Sequence, residues 1–67
     1  MNYSIFIQYD ADDKIYVANV PELEGCMAHG YTYEEAINEI QVAIALWLEC
    51  AQETGVNIPK PNMYIEV

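Results

Sequence analysis

Residues 20–36 read VPELEGCMAHGYTYEEA, and this stretch decides the fold because its order is backbone order. Pro21 has no N–H to give to a ladder and ends one strand, while Gly25 and Gly30 bracket a short further strand, CMAH. Thr32 followed three residues later by Glu35 forms a capping box, and Glu34 and Glu35 suit the positive end of a helix dipole, so a helix is predicted to begin here. Proline, two glycines and a helix cap thus steer a chain from sheet to helix with no nucleophile, base or metal cage among them.

Working outward, NYSIFIQY alternates Tyr3, Ile5, Ile7 and Tyr9 against Ser4, Phe6 and Gln8, the period of a strand with one strongly apolar face. DADD supplies turn residues and KIYVANV repeats the alternation, which predicts an antiparallel hairpin. Downstream, the helix pattern meets no Gly or Pro until Gly55, and a last strand, MYIEV, is predicted after the spacer NIPKP. A right-handed crossover through the helix returns that strand parallel to the first or third. The expectation is an α+β chain of order β-β-β-α-β, a four-stranded mixed sheet with one long helix on one face, forming a single domain over residues 1–67.

A domain of 67 residues buries only about 60% of the surface its unfolded chain exposes, so its core is thin and a deep pocket is not expected. With 54% hydrophobic residues, apolar surface is left over for a partner. Eleven acidic residues against two basic ones give a net charge of -9, which repels phosphate backbones and attracts basic proteins; direct nucleic-acid binding is not expected. Two cysteines make no disulfide framework, and the opening MNYSIFIQYD has no secretory character, so the expected setting is the cytoplasm with reduced thiols. The longest apolar run, VAIALWL, is far short of a membrane span.

At 100° per residue, Tyr33, Ile37, Ile40, Ile44, Leu48 and Ala51 fall on one helix stripe, widened by Ala36, Ala43, Trp47 and Cys50. That stripe is expected to lie on the sheet. Val42 and Leu46 fall among Glu35, Glu39, Glu49 and Glu53 instead, where they are candidates, with Trp47, for self-association or partner contact; the competing reading is stray exposed apolar residues.

Catalytic readings find little support. A two-metal nuclease needs converging acids, and the first strand interior offers Ser4 and Gln8 instead. Cys26 and His29 are half of a zinc site at most, since Cys50 lies far along the helix, and DADD lacks the glycine and distant glutamate of a calcium loop. Ser4, Thr32 and Thr54 form no recognisable triad with His29, the single histidine. No metal or cofactor is expected.

The segment VPELEGCMAHGYTYEEA closely resembles the signature of the HicB-like antitoxins, in which Val-Pro, an acidic or apolar pair, Gly-Cys, Gly-x-Thr and Glu-Glu-Ala follow at this spacing. The opening hairpin and the exit GVNIPKP are similar to that family's too. The resemblance implies a partial RNase H-like fold and a role in binding and neutralising a small, basic HicA-type toxin that cleaves messenger RNA. Tyr31 stands where the family often has an acidic residue, and the sequence ends at Val67 with no helix-turn-helix or ribbon-helix-helix segment, so operator binding is not carried over. Asp10, Asp12, Asp13, Glu22 and Glu24 are candidate loop contacts to the toxin, with Tyr31 beside them; singly, they also read as solvated turn residues. Self-association as a dimer or tetramer is expected. The alternative role is a stand-alone oligomeric module of the same fold that binds another protein or a small ligand.

Overall fold

The structure is a computed structural model that describes residues 2–61. Three strands, β1 (Phe6–Asp10), β2 (Ile15–Asn19) and β3 (Met27–Gly30), form an antiparallel sheet in the order β1-β2-β3, and one helix, α1 (Tyr33–Thr54), packs on it. The arrangement is α+β, as the sequence predicts. The predicted last strand, MYIEV, lies outside the described residues.

The β1–β2 hairpin closes with Asp10 opposite Ile15. The Asp10 carboxylate accepts from the N–H groups of Asp12 at 3.0 Å and Asp13 at 3.2 Å, and Lys14 completes the loop at φ 56°. At the other end of the sheet, β1 begins at Phe6 and not near Asn2. There the N–H and hydroxyl of Ser4 donate to the Glu22 carboxylate at 3.0 Å, a side-chain contact in place of a ladder bond.

Residues 20–26 make two successive tight turns. Leu23 N–H donates to Val20 C=O, Cys26 N–H donates to Leu23 C=O, and Val20 N–H donates to Cys26 C=O, so the loop closes on its own backbone. Pro21 sits second in the first turn, and Gly25 sits third in the second at φ 78°, a backbone region glycine enters without steric cost. Because Cys26 is committed to this turn, β3 runs over Met27–Gly30, one residue later than the glycine spacing predicts. The double turn lays Leu23, 1% exposed, into the core.

That core comprises Ala18, Val20, Leu23, Cys26, Ala36, Ile40 and Ile44, with Ile5, Ile7, Tyr16, Trp47 and Leu48 packed around it. Small residues at Ala18, Ala28 and Ala36 let α1 lie close over β2 and β3. Three members of the predicted helix stripe lie outside the core: Tyr33 is 56% exposed and meets Tyr16 edge-on at 5.5 Å, Ile37 is half-buried, and Cys50 faces solvent. Register puts Phe6, Gln8, Val17, Asn19, Met27 and His29 on the sheet face turned away from α1.

At its start, α1 is capped by Thr32, whose hydroxyl accepts from Glu35 N–H at 3.0 Å and meets the Glu35 carboxylate at 3.5 Å. At its end, the N–H groups of Gly55 and Val56 both bond to Ala51 C=O. Strand and helix come closest at Gly30, where a Cβ would stand 2.5 Å from Ala36 N and 2.7 Å from Glu35 Cβ. Gly30→Ala must push the helix start off the sheet and is expected to cost about 1–3 kcal/mol. Gly25→Ala has open space around it and is expected to cost about 1 kcal/mol through its positive φ alone. Urea unfolding of the two variants checks the order; equal costs would refute the close approach.

Candidate protein-binding groove

The outer edge of β3 and one flank of α1 enclose an open groove of about 450 Å³. Residues 27–31 form one wall, and Glu35, Glu39, Val42, Ala43 and Leu46 form the other. Val42 is 56% exposed, Leu46 60% and Tyr31 76%. Val42 and Leu46 therefore stand on the helix flank beside the sheet edge, and Tyr31 stands at the rim with them. Tyr31, which the sequence singles out on other grounds than Val42 and Leu46, lines the same groove as they do.

The acidic candidates lie elsewhere and differ in what they do. Asp12 and Asp13 are exposed at the β1–β2 turn, while Asp10 folds that turn through its carboxylate. Glu22 is half-buried and its carboxylate holds Ser4. Glu24 is exposed, and its carbonyl accepts from Trp47 Nε1 at 2.9 Å. Trp47 is thus fastened across the core to the 20–26 loop, and beyond it lies a small apolar pocket of about 220 Å³ with Cys50, Ala51, Thr54 and Val56. Met27, His29 and Glu39 complete the groove, although sequence reasoning does not mark them as a site. Their signal lies in the alternation of CMAH, which turns Met27 and His29 to the same side, but only the sheet order shows that this strand is an edge.

The groove is lined by apolar side chains, the carboxylates of Glu35 and Glu39, His29, Tyr31 and backbone, with no Ser, Thr or Cys beside a base. Cys26 is buried on the helix side of the sheet and His29 is exposed on the other, so they do not converge. Among the described residues no group of three or more His, Cys, Asp or Glu side chains is placed to hold a metal ion. No helix among them is long and apolar enough to cross a membrane.

An acidic α+β module whose described residues leave a sheet edge beside an apolar helix flank has the makings of a protein-binding domain. The sequence profile of the HicB-like antitoxin of bacterial toxin-antitoxin systems matches residues 3–67, and the chain belongs to this family. It is 42% identical to a UPF0150 protein of Synechocystis over 59 residues, 88% of this chain and 80% of that protein. It is 39% identical to a UPF0150 protein of Thermoplasma acidophilum over 62 residues, 92% and 88% of the two chains. A second Synechocystis UPF0150 protein is 34% identical over 65 residues, 97% of this chain and 81% of its own. No solved structure gives a significant match.

The two thiols test the packing beside the site. Burial holds the Cys26 thiol above its ordinary pKa of 9.0, whereas Cys50 is exposed. Cys50 is expected to react with a thiol reagent at once and Cys26 only on unfolding. The native chain keeps a proton that the unfolded chain loses, so the stability Cys26 contributes is intact below pH 9.0 and declines as pH rises past it. Timed alkylation with mass spectrometry reads the first effect; equal rates at the two cysteines would contradict the burial.

Proposed function

We propose that the chain is a non-enzymatic antitoxin that neutralises a small basic HicA-type mRNA-cleaving toxin by protein contact in the cytoplasm. The observation that carries this reading is membership of the HicB-like antitoxin family over residues 3–67. Charge supports it. A toxin that cleaves RNA must present cations to phosphates, and a protein of net charge -9 is drawn to that same surface and displaces RNA from it. Asp12, Asp13 and Glu24 are exposed for that encounter, while Tyr31, Val42 and Leu46 offer the apolar contact that holds the complex. Asp10, Glu22 and Trp47 act from behind, shaping the loops that present these groups. The same charge argues against direct binding of nucleic acid by the chain itself.

The test mixes the purified protein with a basic HicA-type toxin and a labelled RNA. Equimolar antitoxin is expected to protect the RNA, and association is expected to slow steeply as salt is raised. RNA cut at an unchanged rate under excess protein would sink the reading. The exposure of Val42 and Leu46 favours a second reading, a dimeric or tetrameric module of the same fold with another protein or a small ligand as partner. In that case no toxin is inhibited, and Leu46→Glu lowers the mass in solution while helix content stays at the parental level.

A further inference from the structure

Among the described residues β3 is paired on one side only, by β2. Val20 N–H bonds to Cys26 C=O, so the antiparallel alternation makes Ala18 opposite Ala28 and Tyr16 opposite Gly30 the hydrogen-bonded pairs. Met27 and His29 therefore turn their N–H and C=O groups outward, along the floor of the groove. Sheet edges are usually blunted by proline, lysine or a bulge, and Met27–Gly30 contains neither proline nor lysine and pairs with β2 without interruption. Pro59, on the segment that leaves α1, lies by the residues that lead into the first strand, where its C=O accepts from Tyr3 Oη at 2.6 Å.

We propose that this edge takes up an extended segment of a basic partner protein as an added strand on β3. The proposal rests on the reading that the chain binds a basic protein, and adds where and how. Main-chain bonds to Met27 and His29 would hold the segment, and alternate side chains would point toward α1. Those apolar in character land on Val42 and Leu46, and lysine or arginine beside them reaches Glu35 and Glu39. Charge selects this occupant over a second copy of the chain. A second copy brings a further net charge of -9 to a groove already lined by two carboxylates.

The probe is a short extended peptide whose every second residue is in turn valine and lysine, with threonine between them, so that valine and lysine share the face turned to α1. It is titrated into the isotopically labelled full chain and followed by NMR, with a control peptide carrying glutamate in place of lysine. Amide signals of Met27 and His29, and side-chain signals of Val42 and Leu46, are expected to move with the lysine peptide and stay fixed with the control. His29→Pro removes an outward N–H and leaves the bonds to β2 intact, so it is expected to weaken binding about fivefold. Glu39→Lys, an exposed surface change that keeps the fold, is expected to weaken it by a similar factor. Fixed signals, shifts confined to residues 10–13, or unchanged affinity in both variants would each overturn the proposal. So would sedimentation showing a dimer that Leu46→Glu or His29→Pro dissociates, since a second copy then fills the groove. If a chain carrying both His29→Pro and Glu39→Lys protects RNA as well as its parent, the antitoxin reading stands and the groove is removed from it.

Discussion

The missing side chain at Gly30 is the constraint on which the rest of the molecule depends. Because nothing projects there, the first turn of α1 settles directly on the last residue of β3, with Ala36 N and the Glu35 backbone where a Cβ would otherwise be. A helix pinned so close at one end must run over β3 and β2, and small residues at Ala18, Ala28 and Ala36 keep it low along that path. One flank of α1 then comes to stand beside the edge of the sheet. The groove is the consequence: Val42 and Leu46 are not on a remote outer face but on the wall above β3. Had a larger residue raised the helix, Ile40 and Ile44 would lose their contacts with the sheet, and in so thin a core few other contacts could replace them.

The carboxylates divide between building and presenting. Asp10 ties the β1–β2 turn, Glu22 occupies Ser4 where β2 has already turned away at Pro21, and Glu35 belongs to the cap of α1. The Asp10 and Glu22 carboxylates each replace a backbone partner that the local geometry does not supply, which is how a chain this short keeps its polar groups satisfied near loops. Among the described residues no buried side-chain polar atom lacks a hydrogen-bond partner. Asp12, Asp13, Glu24 and Glu39 are exposed and contribute mainly to the long-range field, which acts on whatever approaches.

Much of the fold was legible because its instructions are local. Turn residues in DADD, the strand end at Pro21, the Thr32 cap and the stop at Gly55 are each decided within a few positions, and the structure places an element boundary within two residues of each. Less was legible where the answer depends on what an element lies against. Periodicity sets Val42 and Leu46 apart from the core but does not reveal that a sheet edge runs beside them, since the helix's rotation over the sheet is fixed by contacts such as Gly30 with Ala36. Trp47 shows the opposite effect. Its indole N–H is claimed by the Glu24 carbonyl, a tertiary partner 23 residues away in sequence, so a residue that reads as a contact for others is largely a fastening for the chain itself. Cys50 belongs to the widened stripe by angle, yet it is exposed while its neighbour Ala51 is buried.

Edge backbone and aliphatic side chains discriminate poorly between partners, because any extended apolar strand satisfies them. Selectivity must come from elsewhere on the same molecule. A charge of -9 on so small a surface is not cancelled locally, and at physiological ionic strength the field of exposed carboxylates reaches about 8 Å before it is screened. An acidic strand, including one from another copy of this chain, meets repulsion before it can form its first edge bond, while a basic strand is drawn in. The two features are therefore complementary: the edge supplies grip without preference, and the charge supplies preference without grip.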